Sequence, residues 1–252
     1  MVDSSRRLLD EVTTRLVRLA DLADAGGLDA AVEIIVRALD SGGIVQAFGT
    51  GHSQAFAMEI AGRAGGLIPT NNIALRDVVL LGGKDASILF DGAALEREPT
   101  VVDDLWKTIR PHPEDVFVIA SNSGVNGSVV GMALAAKEHG HGVIAVTSLE
   151  HTARVTPKHP SGARLSEVAD VVIDNLAPYG DTTLTLEGGV GVGAVSSMTA
   201  AFIAQLLTVA VSERIAAAGA VPPIYLSANI PAGDDHNNLL ENQYGDRLRR
   251  HA

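Results

Sequence analysis

The sequence predicts an α/β fold: a parallel sheet covered by helices on both faces, led in by a helical pair. Three observations carry that reading. Short, almost continuously apolar runs recur at 44–48, 116–120, 143–146 and 171–173, separated by stretches with helical periodicity. Strands buried on both faces of a parallel sheet have this pattern, whereas half-buried strands alternate polar and apolar residues. Two of the runs break into loops rich in glycine and hydroxyls, Gly49-Thr50-Gly51-His52-Ser53 and Ser121-Asn122-Ser123-Gly124, each opening a helical pattern. Finally, no composition shift or linker divides the chain. One domain is expected over 1–252, with a helical lead over 1–40, a core over 41–222 and a C-terminal tail over 223–252.

In order along the chain, 4–39 is helical, its stripe marked by Val12, Leu16, Leu19 and Leu22, with a break at Gly26-Gly27 and a stop at Asp40-Ser41-Gly42-Gly43. The run 44–48 is the first strand. After the first loop a helix is expected over 53–64, ended by Gly65-Gly66, and then a short strand at Leu67-Ile68-Pro69. The stretch 70–113 has the weakest pattern, although 99–110 has helical spacing. Pro111 opens a turn into the strand 116–120, and the second loop leads to a helix over 127–139 stopped by Gly140. A strand over 143–146 closes on Thr147-Ser148, and a short helix at 165–169 precedes the strand 171–173. Residues 188–212 carry no charge and are long enough to span a bilayer. Four glycines at the start and the polar Ser196, Ser197, Thr199, Gln205 and Thr208 instead indicate a helix over 195–218 buried on most sides.

Composition narrows the function. Apolar residues make up 46% of the chain and aromatics 4%, so the core is aliphatic. A net charge of −11 argues against a nucleic-acid surface, which needs clustered Lys and Arg. The pairs Arg6-Arg7 and Arg249-Arg250 read as solvated ends. The chain has no cysteine, which removes disulfide and thiol chemistry and is compatible with the cytoplasm. Residues 1–10 are charged and lack an apolar core, so no signal peptide is expected, and no membrane partner.

The two loops carry the chemistry. Where a strand breaks into a helix, the first helical N–H groups have no partner and point at the loop beside the positive end of the dipole. Glycines let the backbone close on an anion, and hydroxyls add donors. A dinucleotide grip fails because Gln54 stands where the third glycine belongs, and no Gly-Lys-Ser/Thr sequence provides a nucleotide P-loop. What remains is a phosphate site at the carboxyl edge of a parallel sheet, with no cofactor expected. Asp234-Asp235-His236 raises a metal question, but no second spaced pair completes a site, so no metal is expected.

Together with Asn126 and Thr147-Ser148, the two loops resemble the sugar isomerase (SIS) domain family of phosphosugar isomerases and binding proteins, over roughly 30–228. The stretches 159–165 and 169–175 and the pair Gly180-Asp181 are similar to a bacterial phosphosugar-isomerase-like branch of that family. The resemblance implies a three-layer αβα sandwich on a five-stranded parallel sheet and a homo-oligomer, dimer or tetramer, whose ligand is a sugar phosphate. It implies phosphate binding by Ser53, Ser121, Ser123 and Asn126, close backbone approach at Gly49, Gly51 and Gly124, and a crevice also lined by Thr50, Asn122, Thr147 and Ser148. Moving a proton between C1 and C2 of an aldose needs a base and an acid. The candidates are Glu59, in the helix after the first loop, with His52 and His236. Glu59 is also spaced to pair with Arg63. The phosphoheptose isomerase branch has its glutamate one turn further on, where this chain has Arg63, and a histidine on the late helix, where 196–211 has none. Two other readings fit the loops: a phosphosugar sensor without catalysis, and a lyase or etherase acting on an N-acetylmuramic acid phosphate.

Overall fold

A computed structural model describes residues 2–92 and 94–249. Five strands, β1 (Val45–Gly49), β2 (Thr70–Ile73), β3 (Val116–Ala120), β4 (Gly142–Thr147) and β5 (Val171–Asp174), form one parallel sheet in the order β2-β1-β3-β4-β5. Within each apolar run successive side chains still point to opposite faces, and that alternation divides the core in two. Val45, Ala47, Val116, Val118, Ile144 and Val146 face one layer of helices, α2 (Asp29–Asp40), α3 (Gln54–Ile60) and α10 (Ser196–Ala217), with α1 (Val2–Asp24) outside. Phe48, Phe117, Ile119, Val143 and Ala145 face the other, which includes α4 (Asp77–Leu80), α6 (Val101–Ile109), α7 (Gly127–Glu138) and α9 (Leu165–Val168). The architecture is the three-layer αβα sandwich expected.

The uncharged late segment becomes α10, which by length and composition alone could cross a bilayer. It packs against α1, α2 and α3, burying Ile203, Ala204, Leu207 and Val211. It is a core helix of the sandwich.

Several elements differ from the sequence reading. The helix expected to reach residue 64 stops at Ile60, because Ala61 is extended and Gly62 takes a positive φ of 75°. Leu67-Ile68-Pro69 is not the sheet strand. Ile68 N–H donates to Pro223 O at 2.8 Å and Leu67 bridges Ile224, so this segment pairs with the C-terminal tail. The edge strand β2 begins one residue after Pro69 and carries Asn71 and Asn72, whose polarity hid it. The weakly patterned stretch holds α4, a 3₁₀ turn (Ala86–Phe90), α5 (Ala94–Arg97) and α6. A two-stranded antiparallel hairpin, β6 (Leu184–Thr185) and β7 (Gly191–Val192), precedes α10.

The tail is bound to β2 through the side chain of Asn71. Asn71 Nδ2 donates to Arg247 O at 2.8 Å, and Arg249 N–H donates to Asn71 Oδ1 at 2.8 Å. Arg249 is therefore not a solvated end: its guanidinium also donates to Thr108 O. Its neighbour Arg250 lies outside the described residues, as do Met1, Ala93, His251 and Ala252.

Asp115, only 3% exposed, ties these parts together. Its carboxylate accepts from Ile44 N–H at 2.9 Å, Gln46 Nε2 at 3.0 Å and His112 N–H at 3.1 Å, and it pairs with Arg247. Asp115→Ala leaves a guanidinium and three donors without their acceptor. We expect a loss of about 3 kcal/mol and a fall of roughly 6–12 °C in Tm for a chain of this size. Thermal unfolding followed by circular dichroism reads this directly, and a Tm within 1 °C of the parent would contradict the role.

Candidate functional site

Parallel pairing puts the tips of β1 and β3 side by side, with Gly49 opposite Ala120. The two loops that leave these tips, together with the start of α10, enclose a cleft of about 400 Å³ at the carboxyl edge of the sheet. Its lining includes Thr50, Gly51, His52 and Ser53 from the first loop and Ser121, Asn122, Ser123 and Asn126 from the second.

The first loop folds back over its own strand. A Cβ at Gly49 would lie 2.3 Å from Ser53 O, so no larger residue fits. Thr50 is extended, and Gly51–Ser53 form a single 3₁₀ turn that delivers the chain into α3. The second loop is held from within: Gly124 takes a φ of 64° and its N–H donates to Ser121 Oγ at 3.1 Å. Ser148 N–H donates to Asn122 O at 3.2 Å, and Asn175 Nδ2 donates to Asn122 Oδ1 at 3.0 Å. The hydroxyls of Ser53 and Ser123 have no partner among the described residues. The same holds for the N–H groups of Asn122 and Ser123. Open donors therefore lie at two neighbouring strand tips, and no Lys or Arg lines the cleft among the described residues.

Six lining residues were not singled out for the site from the sequence, Ala194 among them. Ser196 and Ser197 open α10. Asp181 caps that helix, accepting Val195 N–H at 3.1 Å, Ser196 N–H at 2.9 Å and Ser196 Oγ–H at 2.5 Å. These bonds fix its carboxylate at the N-terminal end of α10, on the wall of the cleft. Glu96 comes from α5, in the weakly patterned stretch. Asn126 Nδ2 donates to its Oε1 at 2.6 Å, and Ser128 Oγ–H donates to its backbone carbonyl at 2.7 Å. His151 lies in α8 (Leu149–Arg154), and its ring stacks on Tyr179 with centroids 5.3 Å apart. Gly180 N–H donates to His151 Nδ1 at 3.0 Å. An N–H can only donate, so the neutral ring carries its proton on Nε2. Burial lowers the His151 pKa below the ordinary histidine value, with the Asp181 carboxylate pulling the other way. The spacing of Ser148 and His151 was the one available signal: Ser148 Oγ accepts His151 N–H at 3.0 Å as the N-cap of α8.

Other expected residues lie elsewhere. Thr147 and Ser148 are fully buried behind the second loop and do not line the cleft. The Ser148 hydroxyl is spent on capping α8 and on donating to Ala177 O at 2.6 Å. Glu59 faces α10: it pairs with Arg63 and accepts from Gln205 Nε2 at 2.7 Å. His236 lies on α11 (Gly233–Glu241), its Nε2 bonded to Ile224 O at 3.0 Å. Neither Glu59 nor His236 lines the cleft.

Comparison with known proteins agrees with the fold. The SIS domain family model matches residues 8–148. The UPF0309 protein lmo0025 of Listeria monocytogenes is 34% identical over 247 residues, covering 98% of this chain and 96% of that protein. Among solved structures, a Bacteroides fragilis protein to which phosphosugar isomerisation in capsule formation has been ascribed superposes with a TM-score of 0.55 at 17% identity, covering 100% of this chain and 98% of that one. A phosphoheptose isomerase from Francisella tularensis gives 0.52 at 15% identity, over 84% of this chain and 98% of its own. A sheet of this order, loops of this construction and a family match over more than half the chain lead to one conclusion: the chain belongs to the SIS domain family.

Proposed function

We propose that the protein is an aldose–ketose isomerase of a sugar phosphate, acting in the cytoplasm as a dimer or tetramer. The reading is supported above all by the convergence of two strand-to-helix loops on one cleft that also holds a carboxylate and a neutral imidazole. In this reading Ser53, Ser121 and Ser123 hydroxyls and the open N–H groups of the second loop take the phosphoryl oxygens. The Ser197 hydroxyl at the start of α10 faces the same space. Thr50, Asn122 and the backbone at Gly51 complete that end of the site.

The sugar then extends toward Glu96 and His151. Glu96 removes the proton from C2 of the open-chain aldose and returns it to C1, through an enediol. The O2 proton passes to O1 by way of His151 or His52, and His151 Nε2–H polarises the C1 carbonyl as the C2 proton leaves. Asn126 is a positioning residue, holding one carboxylate oxygen of Glu96 and leaving the other to act. Glu59 and His236 take no part in this scheme.

Incubation with hexose, heptose and amino-sugar phosphates is expected to yield the isomeric partner of one of them. Glu96→Gln should lower kcat about 100- to 10,000-fold with little change in KM, the size of effect expected for a lost general base. Binding without turnover across the panel would replace the isomerase with a sensor, and release of lactate from N-acetylmuramic acid 6-phosphate would replace it with a lyase.

The pH dependence has a definite sign. A histidine whose pKa lies below about 6.5 is neutral at pH 7 and gains a proton only as the pH falls through its lowered value. The rate should be level near pH 7 and fall on the acid side, and His151→Gln should remove that acid limb. An acid limb identical in parent and variant would take His151 out of the reaction.

A further inference from the structure

A second cavity, of about 690 Å³, lies beside β2 and shares no lining residue with the cleft. The end of α3, the strand β2 and the C-terminal tail enclose it, and its charged lining residues are three arginines, Arg63, Arg76 and Arg249, with no carboxylate among them. In a chain with 30 acidic and 19 basic residues, such a lining is unusual.

The cations there are not all matched. Arg63 pairs with Glu59, but the Arg76 guanidinium has no partner among the described residues. Arg249 Nη1 is buried without an acceptor, and so is Asn72 Oδ1 without a donor. A buried guanidinium nitrogen and a buried amide oxygen left open each cost stability unless something fills them. The Arg249 guanidinium donates to Thr108 O and feels the Asp77 carboxylate, on the side of a neighbouring cavity, whereas Asn72 and Arg76 line the 690 Å³ space, of the size that small-molecule sites occupy.

We propose that this cavity is a second ligand site, for a small hydroxylated anion bearing a phosphate or carboxylate. Arg76 takes the anionic group, a planar fork being suited to either. Asn72 Oδ1 accepts a ligand hydroxyl, and the Asn229 side chain, at the cavity rim, offers a further polar contact. Arg76 is the N-cap of α4, at the carboxyl end of the edge strand, and its side chain makes no capping hydrogen bond whose loss would confuse the test.

The test uses calorimetric titration with glucose 6-phosphate and, separately, gluconate, which distinguishes a phosphate from a carboxylate requirement. Protein carrying Ser53→Ala and Ser123→Ala, with the cleft disabled, is expected to bind at least one of the two anions saturably at one per chain. Adding Arg76→Gln should weaken that binding at least tenfold with the Tm unchanged. Should the double alanine variant fail to fold, the parent and Arg76→Gln alone are compared, and the expected result is a drop of one site per chain. No saturable binding of either anion, or binding that Arg76→Gln leaves unchanged, overturns the proposal. The cleft reading fails on a different result: identical glucose 6-phosphate isotherms for the parent and the Ser53→Ala/Ser123→Ala protein.

Discussion

The pairing of β1 with β3 in parallel register is the constraint on which the rest of the structure depends. With Val45 opposite Val116 and Gly49 opposite Ala120, both strands end at the same level and both chains must leave there. Parallel strands need a crossover connection, so each exit turns toward a helix, through the Gly51–Ser53 turn after β1 and through a six-residue loop, 121–126, after β3. Two sets of open donors therefore meet at one place without any charged side chain to draw them together. Gly49 and Gly124 are the residues that let the loops close: one has backbone where a Cβ would be, the other takes a left-handed turn.

That arrangement explains the electrostatics of the cleft. Its charged groups are Glu96 and Asp181, and it holds no Lys or Arg. Asp181 is bound by two N–H groups and a hydroxyl at the positive end of a 22-residue helix, so its charge is met locally. Glu96 is held on one oxygen by Asn126, from the far end of the second loop. The loop that provides donors for an anion thus also fixes the carboxylate beside it, and a shift of one moves the other. Three arginines, Arg63, Arg76 and Arg249, line the cavity beside β2, which shares no lining residue with the cleft.

What could be read from the sequence followed from the same physics. The buried strands were legible because a parallel sheet covered on both faces leaves continuous apolar runs. The loops were legible because glycine and hydroxyl residues have few other reasons to recur after such runs. The edge strand β2 was misplaced because Asn71 bonds to the tail and not to the core, and polar partners leave no hydrophobic signal. Glu96 was missed for a related reason: α5 is four residues long, too short for a periodicity to show. Thr147 and Ser148 sit at the right strand end but one layer too deep, and only the capping bond from Ser148 Oγ to His151 N–H reveals that His151 is the residue brought forward. The weights of Glu59 and His236 were set by their neighbours in the chain, while their positions are set by contacts with Gln205 and Ile224, 146 and 12 residues away.

The most direct test of the central claim is a crystal structure with a bound sugar phosphate. The account predicts a phosphoryl group at the tips of β1 and β3, its oxygens within about 3.2 Å of the Ser53 and Ser123 hydroxyls and the Ser123 N–H. A saturated complex with no phosphoryl group in that cleft would contradict it.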